Sequence, residues 1–336
     1  MAYSFGILDQ SIVFPGYTAA EALENTVKLV RLAERLGYER FWVAEHHDSP
    51  STAGSSPEVL ISYLLARTES IRIGSGGVML QHYSPYKVAE NFNLLATLAP
   101  GRVELGIGRA PGGLPRSTKA LQRGVTEHDS LDAKLTELRS LLEGPTDEEH
   151  PLPGLIASPL PATPADVYML GTSVSSAELA AEQGLPYAFA LFINNDPDTA
   201  AAAFELYKTR FNREKGGEPK PILALSVIAA DTEEEASELA GQHKSVRVTL
   251  GSGKTINVTT LEQAAEFAKQ AGETYTAVER EADITRGTKE SVRARLNELS
   301  EQYGVDSFVF TTIIPDYDKR ARSFELLKEA FAEELV

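Results

Sequence analysis

Four consecutive polar residues, Glu45-His46-His47-Asp48, follow a strand-like run and set two imidazoles between two carboxylates. Imidazole titrates near neutrality, which suits it to proton transfer as well as to metal ligation. Successive side chains on an extended chain point to opposite faces, so His46 and His47 are poorly placed to hold one ion together. The HExxH spacing of a helical zinc site is absent. A metal site completed by Glu45 or Asp48 is therefore the weaker reading, and no metal is expected. The stronger reading turns one histidine inward as a proton donor or ligand contact and packs the other outward.

Other groups could bind an anion or a flat ligand. Arg109 offers a planar fork of donors suited to phosphate or carboxylate, and could equally form a structural ion pair. Thr172, Ser173, Ser175 and Ser176 place four hydroxyls within five residues at a predicted helix start. One serine there would be an ordinary cap, but four exceed what a cap needs and suit an anion site. Gly76-Gly77 lets backbone approach a flat ligand closely, or else marks a bulge; the segment alone leaves both open. Gly251-Ser252-Gly253-Lys254-Thr255 looks like a phosphate loop, but Val248 stands where the motif needs its first glycine. The glycines around Arg109 make no GxGxxG fingerprint. No lysine ends a clear strand, which weighs against Schiff-base chemistry.

Short apolar runs alternate with longer amphipathic ones, and these elements must position the polar groups. Strands are predicted over Tyr3–Leu8, Arg40–Ala44, Ile71–Gly76, Arg102–Ile107, Asp166–Leu170, Tyr187–Phe192, Pro221–Ala229 and Asp306–Thr312. Helices fall between them, for example Thr18–Leu36 closed by Gly37, and Pro57–Thr68 with Pro57 at its first turn. Eight alternating strands imply a parallel sheet with right-handed crossovers, and at this length closure into a (β/α)8 TIM-type barrel with insertions. Residues 1–336 read as one barrel domain. Residues 144–164, rich in proline, form an irregular excursion, and 241–287 an insertion holding one more helix at Thr260–Ala271. In such a barrel chemistry sits at the C-terminal ends of the strands. The polar and glycine-rich residues collect at that rim, whereas the opposite rim carries ordinary caps such as Gly37, Gly101 and Gly184.

The chain has 336 residues, 42% of them hydrophobic, and a formal net charge of −16. That charge opposes nonspecific binding to nucleic acid or anionic membrane. Cysteine is absent, which removes disulfides, thiolate metal sites and cysteine nucleophiles. The chain enters a strand-like run at Tyr3 with no signal-peptide pattern, and no apolar stretch approaches a membrane span, so a cytoplasmic protein is expected.

Five stretches carry a resemblance. Phe41-Trp42-Val43-Ala44-Glu45-His46-His47 is similar to the second-strand signature of bacterial luciferase-like flavin monooxygenases. Ile73 to Leu80, Ser84 to Glu90, Gly101 to Arg109 and Leu170 to Pro186 match in turn, in the same order. The resemblance implies a barrel that binds FMN, supplied reduced by a separate NAD(P)H-dependent reductase, and that oxygenates a small organic substrate with O2. It implies His46 near the reacting flavin face, and Gly76-Gly77 as a non-prolyl cis peptide against the ring. Arg109, Ser173 and Ser176, with Thr172 beside them and Arg123 more distantly, would hold the phosphate. Capture after strands four and five departs from the commoner barrel site after strands seven and eight. Gly108 stands where luciferase alpha chains carry a cysteine, so light emission is not expected. Residues 251–287 are a candidate lid, a flavin reductase a transient partner, and a homodimer the expected assembly. The alternatives are an F420-dependent hydride-transfer enzyme, a noncatalytic flavin-binding protein and a metal-dependent barrel hydrolase.

Overall fold

The computed structural model describes residues 3–126, 129–241, 243–258 and 260–332. Its strands in chain order are β1 (Ser4–Asp9), β2 (Arg40–Val43), β3 (Arg72–Met79), β4 (Val103–Gly108), β5 (Asp166–Gly171), β6 (Tyr187–Ala190), β7 (Pro221–Ala229), β8 (Lys244–Leu250), β9 (Thr255–Val258), β10 (Tyr275–Glu281), β11 (Thr285–Gly287) and β12 (Ser307–Thr311). The helices are α1 (Ala19–Arg35), α2 (Pro57–Leu65), α3 (Pro85–Leu98), α4 (Pro115–Leu121), α5 (Leu131–Glu143), α6 (Val174–Gln183), α7 (Pro197–Arg210), α8 (Arg213–Gly216), α9 (Glu233–Ala240), α10 (Leu261–Ala271), α11 (Lys289–Tyr303) and α12 (Tyr317–Glu329).

β1 through β7 pair in parallel, each with the next. β12 returns between β7 and β1, and the β6–β7 pairing closes the ring. The result is the eight-stranded parallel (β/α)8 TIM-type barrel that the strand–helix alternation predicts. Local signals start its helices: Thr18 and Glu21 make a capping box on α1, while Pro57 and Pro85 occupy the first turns of α2 and α3.

Two apolar layers follow from strand alternation. Outward residues such as Phe41, Val43, Ile73 and Leu105 pack beneath the helices. Inward residues Leu8, Trp42, Ala44, Tyr168, Ala188, Ile222, Ala224 and Val309 fill the barrel. The lower interior is charged. Glu104, with no exposed surface, accepts from Trp42 Nε1 at 2.6 Å and Tyr168 OH at 3.1 Å, and pairs with Arg40 and Arg72 at 3.3 Å each. Four donors around one carboxylate offset the cost of taking it out of water.

The segment after α9 differs from the expectation of a single extra helix. α10 is present, but β8, β9 and β10 form a separate antiparallel sheet in the order β10-β8-β9. Val246, Val248 and Leu250 alternate onto Phe267 and Ala268 of α10 to make its own small core. The phosphate-loop look-alike Gly251–Lys254 is the turn of the β8–β9 hairpin. α4, inside the loop after β4, was also not anticipated.

Candidate active site

β2 brings His46 to the barrel mouth by simple alternation. Trp42 and Ala44 point inward and Phe41 and Val43 outward. Carried two residues further, the pattern turns His46 in and Glu45 and His47 out. His46 Nδ1 is buried and has no hydrogen-bond partner among the described residues. Burial, with the neighbouring His47 adding and Glu45 opposing, lowers the His46 pKa below the ordinary histidine value, which keeps the ring neutral at neutral pH.

Behind the strand lies a polar network. Glu45 is 1% exposed and accepts from Tyr83 OH at 2.7 Å, from the Met79 backbone N–H at 3.0 Å and from His47 Nε2 at 2.6 Å. Burial first, then the hydrogen bond to Glu45, pushes the Tyr83 pKa well up, so the phenol keeps its proton. Glu58, at the start of α2, is also pushed up by burial, with the Glu45 charge adding to the effect. His82 donates from Nε2 to the Pro111 carbonyl at 2.9 Å and accepts at Nδ1 from Gln122, which pins the loop after β4 to the end of β3.

β3 presents bare backbone just past its last rung with β2. A Cβ at Gly76 would lie 2.6 Å from Leu8 Cδ1 and 3.1 Å from Trp42 Cβ, and one at Gly77 would lie 2.7 Å from the Gly106 carbonyl oxygen. Inward side chains of β1 and β2 close the first position and the backbone of β4 closes the second, so neither has room for a side chain and bare peptide is left. The Gly76–Gly77 peptide is cis, and Gly76 remains partly accessible.

The neighbouring strand ends carry the anion-binding candidates. Arg109, directly after β4, is exposed and has no ion pair or side-chain hydrogen bond among the described residues. Arg123 is exposed on the turn after α4. After β5, the chain enters α6 through Thr172 and Ser173, and Asn194 Nδ2 donates to the Thr172 carbonyl at 2.9 Å. Ser173 and Ser176 form a reciprocal cap. The Ser176 hydroxyl is buried, donating to the Ser173 carbonyl at 2.7 Å and paired with Tyr187 OH at 2.9 Å. Of the four hydroxyls, Ser176 is therefore committed to the helix start, while Thr172, Ser173 and Ser175 stay accessible.

The inserted sheet is tied to this mouth from two sides. Gln270 of α10 accepts from the Arg116 backbone N–H at 2.8 Å, and Asn257 of β9 donates to the Ile193 carbonyl beyond β6 at 2.7 Å. Arg116 forks onto Asp48 at 2.8 and 3.0 Å, one residue past His47, and Asp48 has a φ of 53°. Leu114 packs into the core of the insertion.

These features converge on one end of the barrel: a neutral imidazole, an unpartnered guanidinium, a helix N-terminus and a bare peptide wall. They suit a flat ligand with an anionic tail and proton exchange at one edge. Among the described residues no group of three or more His, Cys, Asp or Glu side chains is arranged to hold a metal. A cleft of about 950 Å³ opens at the opposite end, but its deepest charge, Arg40, is already paired with Glu104. No helix of the described residues is long and apolar enough to cross a membrane.

Sequence reasoning missed Tyr83, His82, Gln122 and Arg116. None lies in a local motif, and each acts through a partner 29 or more residues away. Glu45 was visible only as one of the acids flanking the histidines.

A family profile described as luciferase-like monooxygenase matches residues 3–307. An N-acetyl-S-alkylcysteine monooxygenase of Bacillus subtilis is 42% identical, over 96% of this chain and 97% of that protein. A luciferase-like monooxygenase of Escherichia coli is 35% identical over 99% and 98%. Among solved structures, apo-MsnO8 superposes with a TM-score of 0.80 at 36% identity, covering 98% of each chain. Two more distant structures share the fold. One is the oxygenating constituent of 3,6-diketocamphane monooxygenase of Pseudomonas putida in complex with FMN (TM-score 0.71, 20% identity, 98% and 97% covered). The other is an F420-dependent secondary alcohol dehydrogenase (TM-score 0.65, 16% identity, 98% of each covered).

Proposed function

The chain belongs to the luciferase-like monooxygenase family, and from that premise we propose that it is an FMN-dependent monooxygenase acting on a small organic substrate. Reduced FMN would come from a separate NAD(P)H-dependent reductase that docks transiently. The observation that carries the reading is the pairing of an unpartnered Arg109 with an unpartnered His46 Nδ1 at one barrel mouth. A buried polar atom without a partner calls for one from a ligand, and the bare peptide of Gly76-Gly77, partly accessible at Gly76, offers a face against which a flat ring could lie.

The residues present fit FMN. Arg109 and the Thr172–Ser173 entry to α6 would hold the phosphate, with Arg123 as a second cation and Ser176 stiffening the helix start. Gly76-Gly77 would seat the ring. When bound and reduced, the flavin supplies the electrons that activate O2, so that one oxygen atom enters the substrate and the other leaves as water. His46 is neutral at neutral pH and can take or give a proton at Nδ1 beside the ring. The sheet of β8–β10 with α10 would exclude water from above. The relationship to an N-acetyl-S-alkylcysteine monooxygenase makes N-acetyl-S-alkylcysteines the first substrate class to assay. We also propose a homodimer, supported by exposed Val59 and Tyr63 on α2 and Leu94 and Leu98 on α3.

Titration with FMN, with reduced FMN under nitrogen and with F420, followed by fluorescence or calorimetry, tests the reading. The expected outcome is micromolar or tighter binding of FMN in either redox state. Arg109→Ala should weaken FMN about 10- to 100-fold, the worth of a hydrogen bond to a charged group, and leave riboflavin binding unchanged. Binding of F420 alone would move the protein to hydride transfer, and binding of none would end the flavin reading.

A further inference from the structure

The β2–β3 ladder ends where Val43 faces Ser75. His46 and Gly76-Gly77 lie just beyond that last rung, on opposite strands. The backbone donors past Val43 turn away from β3: Ala44 bonds to Asp9, His46 to Gly54 and His47 to Gly112. The Glu45 side chain crosses the gap. Glu45, on β2's extension, accepts from the Met79 N–H at the end of β3 at 3.0 Å, and Tyr83 OH and His47 Nε2 hold the same carboxylate at 2.7 and 2.6 Å.

A carboxylate 1% exposed is a poor device for stability alone, because desolvation consumes most of what its bonds return and an apolar side chain of similar size would serve as well. Its value is geometric: three donors, one from Glu45's own strand extension and two from the end of β3 and the turn after it, fix where one atom group sits. We propose that Glu45 is a positioning residue of the site, a side-chain clamp that locks the His46 end of β2 to the Gly76-Gly77 end of β3. Tyr83 and His47 aim the clamp. What the clamped groups act on rests on the flavin reading; the clamp itself does not.

Hydrogen exchange followed by mass spectrometry on the full chain, in peptides covering 42–48 and 74–81, reads the clamp directly. In Glu45→Ala, exchange should rise in both peptides together by about tenfold or more, the factor carried by a charge-assisted hydrogen bond, with the rest of the barrel unchanged. Glu45→Gln keeps an acceptor for Met79 and should restore most of the protection. Tyr83→Phe, which spares the Met79 bond, should raise exchange only slightly, and these two variants carry the test if Glu45→Ala does not fold. In the flavin arm, riboflavin and FMN should weaken by the same factor in Glu45→Ala and the visible circular dichroism of bound flavin should fade, because the ring seat is loosened and the phosphate site is not. Unchanged exchange in a folded Glu45→Ala, a rise in one peptide only, or a uniform rise across the barrel would overturn the clamp. A wild-type chain that binds no flavin would sink the proposed function, and the exchange data would still decide the clamp.

Discussion

Replacing Gly77 with alanine tests how closely the barrel wall is packed where the ring would lie. The new methyl would sit 2.7 Å from the Gly106 carbonyl oxygen and 2.8 Å from Leu170 Cδ1. The Leu170 tip can rotate away, but the Gly106 oxygen is backbone of β4 in the middle of a ladder. Ordinary contact begins at 3.4 Å, so the two strands must part by about 0.7 Å. Overpacking of that kind costs about 1–3 kcal/mol. Gly108→Ala is the matched control on the adjacent strand. Its methyl would meet Met79 Sδ at 3.2 Å, and a flexible thioether yields for under about 1 kcal/mol. Neither glycine has a positive φ, so backbone strain does not separate the two. Chemical denaturation should show Gly77→Ala destabilised by that 1–3 kcal/mol and Gly108→Ala close to wild type. Riboflavin and FMN should both bind Gly77→Ala about tenfold more weakly, since about 1.4 kcal/mol is a factor of ten. Wild-type stability and flavin affinity in Gly77→Ala, or a larger loss in Gly108→Ala, would refute the argument that backbone contact sets this wall.

The buried Glu104 cluster makes a second prediction. Glu104→Ala strands Arg40 in the interior and should cost about 3–5 kcal/mol, whereas replacing Glu104 and Arg40 together by methionine should recover much of it; denaturant midpoints decide, and a loss below about 1 kcal/mol in the single variant would show the pairing to be dispensable. The depressed His46 pKa implies a pH dependence. Below the ordinary histidine value of 6.5 the unfolded chain takes up a proton that the folded His46 resists, so stability should fall as pH drops through that range toward the folded value, and stay flat above it. His46→Gln should flatten that acid-side slope in unfolding curves recorded from pH 7.5 to 5; an unchanged slope would mean other groups set it. Arg116→Ala should leave global stability within about 1 kcal/mol, since the Arg116–Asp48 pair is exposed, yet speed limited proteolysis within 261–271; equal cleavage rates would show that the pair does not tether the insertion.

Much of the barrel could be read along the chain because its signals are local. Each core strand is a short apolar run, each helix carries its cap or proline, and glycines, hydroxyls and histidines gather after strands two to five. Alternation along the strand implied that one histidine turns in and the other out; the resemblance pointed to His46, and the packing of Trp42 and Ala44 inside the barrel shows that it is the inward one. The insertion was harder. Val246, Val248 and Leu250 do alternate, but almost every residue of β10 is exposed. With no buried face, that strand leaves no apolar period to read, and only its pairing with β8 makes it a strand.

The anchors of the site lay beyond local reading for a different reason. Glu45 meets Tyr83 across 38 positions, Gln122 meets His82 across 40 and Arg116 meets Asp48 across 68. A polar residue in a sequence announces only that it needs a partner. Several donors and acceptors in the chain could satisfy it, and closure of the ring selects among them by bringing strand ends together. The amino-acid order by itself determined the strand–helix alternation, the barrel and the rim at which the polar and glycine-rich residues collect. Tertiary packing alone decided that Ser176 is spent on its own helix, that Arg109 is left free, and that Glu45 joins the two strand ends at the mouth, because those outcomes depend on distances between segments that no local pattern encodes.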